Sequence, residues 1–265
     1  MTESDTAPLI GRNPVREALE RGEVGIEKIM LEPGVSGERI GAIRSMAKER
    51  GIPVQYVPKT RLDHEADGAA HQGVLAQVAP IRYQEVNDML ADVAGTWDAV
   101  QARKPLLLVI DRVTDPRNLG AILRSAVAAG VDGVIVPARH MAPLNAAALK
   151  ASAGMAHRVP IARTSDLATV LIQLKERGYW VCGADGTAPT PFYDVDWDRP
   201  VALVMGSEGQ GLANDVAAAC DVRTSIPMRG PAESLNVAVA AGVLLFEAAR
   251  PRTMTAADAS PSSLD

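Results

Sequence analysis

Aromatic residues, cysteines and histidines are all scarce in this chain, and each scarcity narrows the reading. Phe, Trp and Tyr make up 3% of its 265 residues. Ala, Val, Leu and Ile must therefore build the core, and a hydrophobic share of 47% supplies them amply. The 2 cysteines, Cys182 and Cys220, sit in apolar surroundings. They read as inert core thiols rather than a disulfide. The 4 histidines show no ligand spacing and no cysteine pair completes a set, so no metal is expected. A basic excess is also missing. The formal net charge of -5 argues against a uniformly basic nucleic-acid coat. A local basic patch stays possible, because phosphate affinity depends on where the charges sit. The longest apolar run, from near Val237 to Phe246, falls far short of the ~20 residues of a membrane span. No basic region followed by an apolar run opens the sequence, so no signal peptide is expected. These features predict a cytoplasmic protein without a membrane segment.

What is present alternates between helix and strand signals. Asn13-Pro14 reads as a helix start, with Asn as cap and Pro at the first helical position, running to Glu20 or Arg21 and stopping at Gly22. Strands follow at Lys28 to Leu31, Val54 to Val57 and Gln72 to Val78, with a helix from about Glu38 to Arg50. Residues 1–79 thus form a small α/β domain. Residues 80–104 read as a linker holding one short helix near Val86 to Val93. Residues 105–250 form the larger domain, opening with Pro105 to Ile110, a continuous apolar run suited to a strand buried on both faces. Similar runs recur at Gly133 to Val136, Trp180 to Ala184, Val201 to Met205 and Val222 to Ile226. Helical segments separate them, which predicts a parallel sheet with helices on both sides. Residues 251–265 are rich in Ala, Ser and Asp without periodicity and are expected to be disordered.

Three stretches lie where strands hand over to helices, the usual place for α/β sites. In Asp111 to Arg124, Asp115 can cap a helix with Pro116 at its first position, and Leu119, Ile122, Leu123 and Ala126 form the buried stripe. Arg117, Gly120 and Arg124 share another face, and a glycine between two arginines admits a large anionic body such as a phosphodiester. A solvated basic face with a helix-packing glycine explains the same residues. In Met205-Gly206-Ser207-Glu208-Gly209-Gln210-Gly211, a buried strand meets a glycine-rich turn. The glycines fit either a tight turn or a backbone that approaches a ligand. No Lys-Ser/Thr follows and the glycine order is wrong for a dinucleotide fingerprint. Glu208 would repel a phosphate, so a neutral or cationic ligand suits the loop better. In the third stretch, Ile226, Met228 and Leu235 offer an apolar slot for a flat ring, with Ser234 and Asn236 beside it as hydrogen-bonding groups. Core packing and a capped helix account for these residues equally well. Lys150 to Ala156 is a weaker feature. Its small residues allow close helix packing, and Lys150 can add a phosphate contact.

Taken together, Asn118-Leu119-Gly120 with Arg124, Gly206-Ser207-Glu208-Gly209 with Gly211, and Ile226-Pro227-Met228 with Ser234-Leu235-Asn236-Val237 closely resemble the SpoU (TrmH-like) family of RNA ribose 2'-O-methyltransferases. Ile10 to Leu19 and His71-Gln72-Gly73-Val74 look like the substrate-binding domain of the subgroup that methylates a guanosine in large-subunit (23S) ribosomal RNA. The resemblance covers almost the whole chain and fails in the linker and tail. One departure is Met155-Ala156-His157-Arg158, where the family more often has an acidic residue; it is expected to affect RNA fit rather than chemistry. The resemblance implies an α/β fold with a deep trefoil (SPOUT-type) knot in the methyltransferase domain, preceded by a small ribosomal-protein-like RNA-binding domain. It implies S-adenosylmethionine as cofactor, with contacts at Met205, Gly206, Gly211, Ile226, Met228, Ser234 and Leu235. It implies a homodimer acting on ribosomal RNA or a pre-ribosomal particle.

The resemblance also implies a catalytic set of Asn118, Arg124, Glu208, Ser234 and Asn236. A guanidinium stays protonated, with a pKa above ~12. Arg124 is therefore expected to clamp the target phosphate and stabilise the developing alkoxide rather than act as the base. The proton leaves through a phosphate oxygen, Glu208 or water. Arg12, Arg16, Arg117 and Lys150 are the candidate RNA contacts, with Lys59 and Arg61 as further ones; solvated surface charge is the bland alternative for those of the first domain. Competing functions are a transfer-RNA ribose methyltransferase, an antibiotic-resistance ribosomal methylase, and a non-catalytic RNA-binding assembly factor.

Overall fold

A computed structural model of the chain describes residues 8–21, 25–78, 81 and 83–258. In the first domain, β1 (Leu9–Ile10), α1 (Arg12–Arg21), β2 (Ile26–Leu31), α2 (Glu38–Glu49), β3 (Val54–Tyr56), α3 (Lys59–Glu65) and β4 (Val74–Val78) follow one another. The sheet runs β1-β4-β2-β3; β4 is antiparallel to both neighbours and β2 is parallel to β3. Strand alternation divides its apolar residues between two faces. Ile29, Leu31, Val74 and Ala76 meet Val15 and Leu19 of α1 and Ile40 and Ile43 of α2. Met30 and Leu75 meet Leu62 and Ala66 on the other face.

Two local expectations change here. Helix α1 begins at Arg12 after Gly11, which sits at φ +98°, so Asn13 lies inside the helix and is not its cap. The expected stop at Gly22 lies outside the described residues. The His71-Gln72-Gly73 turn is pinned from three sides. Gly73 N donates to His71 Nδ1 at 3.0 Å, which leaves Nε2 to carry the proton and donate to Asp63 at 2.9 Å. Arg12 Nε donates to the Gln72 carbonyl at 3.0 Å.

The expected linker is more ordered than its composition indicated. Helix α4 (Val86–Ala94) is followed by a second helix, α5 (Trp97–Arg103), whose first turn Thr96 caps by accepting from Ala99 N at 3.2 Å. Both belong to the larger domain, because Met89, Leu90, Val93 and Val100 pack against Leu107 and Val109 of its sheet. Gly95 marks a corner between two helices rather than the start of a loop.

The larger domain continues with β5 (Leu106–Ile110), α6 (Pro116–Ala128), β6 (Gly133–Pro137), α7 (Ala146–Ala151), β7 (Ile161–Thr164), α8 (Leu167–Glu176), β8 (Trp180–Ala184), β9 (Thr190–Pro191), β10 (Val201–Met205), α9 (Asn214–Ala219), β11 (Val222–Ser225) and α10 (Val237–Asp258). Its sheet order is β7-β6-β5-β10-β8-β11-β9, and every pairing is parallel. The five expected strands form its centre. The two edge strands escaped the sequence pattern because β7 ends in Arg163 and Thr164 and β9 is only two residues long. Leu106, Leu108 and Ile110 face α6 and α10, while Leu107 and Val109 face α4, α5 and α8. This double burial explains the unbroken apolar runs.

Helix α10 corrects the expected tail. It runs through Pro251 to Asp258, and residues 259–265 lie outside the described residues. Pro251 withholds one helical N–H, yet Arg252 fastens the helix end. Its guanidinium donates to the carbonyls of Lys104 (3.0 Å), Trp197 (3.0 Å), Arg199 (2.7 Å) and Ala248. No described helix is long and apolar enough to cross a membrane. Both cysteines are free, and burial pushes the Cys182 thiol up to about 12 and that of Cys220 up to about 11, as inert thiols require.

Candidate active site

Parallel pairing brings the carboxyl ends of β5, β10 and β11 to one edge of the sheet. The first loop leaves β5 and enters α6, where Asp115 caps the helix by accepting from Arg117 N at 2.8 Å, with Pro116 in the first turn. Burial of Leu119, Ile122, Leu123 and Ala126 leaves Asn118 half-buried and Arg117 and Arg124 exposed. The second loop leaves β10 and closes on itself. Ser207 and Gly211 exchange both backbone hydrogen bonds, at 3.0 and 3.1 Å, and Ser207 Oγ adds a bond to the Gly211 carbonyl at 3.2 Å. Gly209 and Gly211 adopt φ of +82° and +65°, a conformation that favours glycine. The third loop leaves β11, with Ile226, Met228 and Leu235 half-buried and Ser234 exposed. It ends at Asn236, whose Oδ1 caps α10 by accepting from Ala238 N at 3.0 Å and Val239 N at 3.4 Å.

The three loops meet in one ring of side chains. Asn236 Nδ2 donates to Glu208 Oε1 and to Asn118 Oδ1, each at 3.1 Å. Asn118 Nδ2 donates to Glu208 Oε2, also at 3.1 Å. An ionised carboxylate only accepts, so both amides turn their NH2 groups towards it. Asn118 and Asn236 lie 118 positions apart in sequence, and no local preference brings them together. The sheet topology does. The result is a negative charge held by two neutral amides, each carboxylate oxygen keeping a further acceptor direction for a substrate hydroxyl.

The other candidate residues fall into place around this ring or away from it. Gly120 does not open a face for a ligand. A Cβ there would lie 2.2 Å from the Ala148 carbonyl oxygen and 2.7 Å from Ala151 Cβ, so the glycine lets α6 and α7 pack backbone to backbone. Gly206 likewise serves the loop itself, since a Cβ would lie 2.3 Å from the Gly211 carbonyl carbon. Met205 is 2% exposed, its side chain belongs to the core, and its carbonyl accepts from Asp111 N at 2.7 Å. Lys150 is exposed at the end of α7. Arg12 and Arg16 lie on α1 of the first domain; Arg12 spends Nε on Gln72, and Arg16 pairs with Glu20 at 3.5 Å. The departing segment Met155–Arg158 forms a 3-10 turn packed against α6, and burial lowers the pKa of His157.

Two residues of the site were not singled out from the sequence. Asp111 is buried and reaches Ala213 N in the second loop, and Arg112 beside it reaches the Gly211 carbonyl. The available signal was an acidic residue directly after an all-apolar strand. An open groove of about 530 Å³ lies elsewhere, between Gln84, Asn87, Arg163, Asp166 and Gln173, and includes none of the motif residues.

The donor set around the ring fits S-adenosylmethionine. Ile226, Met228 and Leu235 are apolar and half-buried, as an adenine ring requires, and Glu208 supplies the negative charge that a sulfonium tolerates where a phosphate would not. Comparison with known proteins agrees. The model of the SpoU rRNA methylase family matches residues 105–246, and that of the RNA 2'-O ribose methyltransferase substrate-binding domain matches residues 8–84. YacO of Bacillus subtilis, whose name places it with the TrmH family tRNA/rRNA methyltransferases, is 40% identical over 92% of this chain and 95% of its own length. The SpoU methyltransferase AviRb of Streptomyces viridochromogenes, solved with AdoMet, matches with a TM-score of 0.70 and 25% identity, covering 93% of this chain and 90% of its own. An AdoMet-bound rRNA methyltransferase of Sinorhizobium meliloti matches with a TM-score of 0.69 and 25% identity, over 93% and 88% of the two chains.

Proposed function

The chain belongs to the SpoU rRNA methylase family, and from that premise we propose that it methylates the ribose 2'-hydroxyl of a guanosine in large-subunit (23S) ribosomal RNA. Its class is that of an S-adenosylmethionine-dependent RNA 2'-O-methyltransferase with an RNA substrate-binding domain. The guanosine and the ribosomal substrate are our finer reading. They rest on the likeness of the first domain, with its pinned His71-Gln72-Gly73 turn, to the subgroup that acts there. The observation that carries the catalytic assignment is the Asn118–Glu208–Asn236 ring, because it joins one residue from each of the three motifs.

The backbone of the 206–211 loop, with Ile226, Met228, Ser234 and Leu235, would hold S-adenosylmethionine, which would supply an electrophilic methyl carbon. The protein has to orient the ribose, exclude water and take up a proton. Orientation alone contributes ~7–11 kcal/mol to such reactions. Asn118 and Asn236 fix the Glu208 carboxylate, and Ser234, on the same loop as Asn236, adds a hydroxyl. Arg124 on α6 is exposed and carries a permanent positive charge, so it binds the target phosphate and stabilises oxyanion character at the 2'-oxygen. The hydroxyl proton passes to a phosphate oxygen, to Glu208 or to water. Arg12, Arg16, Arg117 and Lys150 contribute to the RNA contact.

We read the active unit as a cytoplasmic homodimer with the family's deep trefoil knot. The dimer is supported by an exposed apolar stripe on α10. Val239, Val243 and Phe246 are 53%, 36% and 54% exposed at helical spacing. The knot rests on the membership of the methyltransferase domain in this family. The assignment of Arg124 is tested by Arg124→Ala. Turnover is expected to vanish while the dissociation constant for S-adenosylmethionine stays within about twofold, since the residue meets substrate rather than cofactor. A large loss of cofactor affinity in that variant contradicts the role.

A further inference from the structure

The loop that carries Glu208 is held at two ends. At its tip, the carboxylate is fixed by Asn118 and Asn236. At its return leg, the fixing groups come from the end of β5. Asp111 is 3% exposed, and its Oδ2 accepts from Ala213 N at 2.7 Å. Its Oδ1 accepts from Arg112 Nε at 3.1 Å, and its own N–H donates to the Met205 carbonyl at 2.7 Å. Arg112 stands at φ +57°, a left-handed conformation that is uncommon and costly for a residue with a side chain. In that conformation its Nη2 donates to the Gly211 carbonyl at 3.4 Å, the same oxygen that accepts from Ser207 N and Oγ. A buried carboxylate and a strained arginine thus converge on two successive backbone sites of one loop.

We propose that Asp111 and Arg112 are positioning residues of methyl transfer, which lock the return leg of the 206–213 loop and thereby set the cofactor-facing backbone and Glu208. The proposal rests on the reading that this loop binds S-adenosylmethionine. A buried carboxylate at a strand end is costly unless donors and a counter-charge satisfy it. Here both partners, Ala213 N and Arg112, serve the loop. The strain at Arg112 is of the kind stored where a conformation serves function rather than stability.

The test uses the full-length protein and three variants, Asp111→Asn, Asp111→Ala and Arg112→Gly, with S-adenosylmethionine binding followed by calorimetry beside thermal unfolding. Asp111→Ala should weaken cofactor binding by at least tenfold. Asp111→Asn keeps an acceptor for Ala213 N and should restore most of that loss. Arg112→Gly removes the left-handed strain. Its melting temperature should stay level or rise while its cofactor affinity falls severalfold, a split that a purely structural residue does not produce. Unchanged affinity in Asp111→Ala, or affinity and melting temperature falling in step in Arg112→Gly, overturns the proposal. Failure of the unaltered protein to bind S-adenosylmethionine overturns instead the cofactor assignment beneath it.

Discussion

Asn236 has two jobs that can be separated. Its Oδ1 caps α10 and its Nδ2 holds Glu208 and Asn118. Asn236→Ala removes both, with about 1 kcal/mol lost from the cap alone. Asn236→Asp keeps the cap and improves it by about 0.3–1 kcal/mol, because a negative charge favours a helix start. It also sets a second carboxylate against Glu208 where 3.1 Å now separates donor from acceptor. Two unit charges at that distance repel by about 1 kcal/mol at a water-like dielectric and about 5 kcal/mol at an effective value near 20. The ring is solvent-exposed, so the lower figure applies; with the two lost Nδ2 hydrogen bonds, each worth about 0.5–1.5 kcal/mol, it exceeds the improvement of the cap. At pH 7, Asn236→Asp should melt a few degrees below the parent protein, at about 2–4 °C per kcal/mol, and bind S-adenosylmethionine more weakly. The sign with pH follows from the shared charge. Protonation of either carboxylate removes the repulsion, so the deficit is present where both are ionised and fades as the pH falls towards 4. Unfolding followed at pH 4.5 and 7 for parent and variant decides it. Equal melting temperatures at pH 7, or a deficit of the same size at both pH values, refutes the ring as described.

Further predictions rest on other contacts. Gly120→Ala forces α6 and α7 to part by about 1.2 Å before the Ala148 oxygen reaches ordinary contact at 3.4 Å; overpacking of this kind costs about 1–3 kcal/mol. Because α6 carries Asn118 and Arg124, the rate at saturating substrates should fall roughly a hundredfold, as Å-scale misplacement does, which stopped-time methylation assays measure. Arg252→Ala leaves the carbonyls of Lys104, Trp197, Arg199 and Ala248 without their shared donor, and urea unfolding should register a loss of about 2–4 kcal/mol. Phe246→Glu places a charge in the α10 stripe and should convert the proposed dimer to monomer in light scattering with no change in melting of the isolated subunit.

Much of the larger domain was legible because its strands are buried on both faces. Runs such as Leu106 to Ile110 carry their own assignment, and Asp115-Pro116 announces α6. The edge strands β7 and β9 were not legible, since partial exposure and brevity erase the apolar signal. The same cause hid α5, whose single buried Val100 is too little for a periodic pattern, and the end of α10, which depends on Arg252 reaching carbonyls of distant segments. At the site, the resemblance of the three motifs to the SpoU family named Asn118, Glu208 and Asn236, but not the ring they form, because their proximity is a property of strand order. Gly120 and Gly206 show the opposite limit. At Gly120 the space that looked open to a ligand is filled by α7, and at Gly206 the tight-turn reading, one of the two the glycines allowed, describes how the loop closes. Asp111 offered only its place directly after an all-apolar strand and Arg112 offered nothing, as the loop groups they hold are backbone sites about 100 positions away.

The measurement that bears most directly on the function is a nucleoside digest after reaction of the full-length protein with methyl-labelled S-adenosylmethionine and unmodified large-subunit ribosomal RNA, with unmodified transfer RNA run in parallel. The account predicts label in 2'-O-methylguanosine from the ribosomal RNA and none from the transfer RNA. Label in transfer RNA alone, in a base rather than a ribose, or in a nucleoside other than guanosine contradicts it.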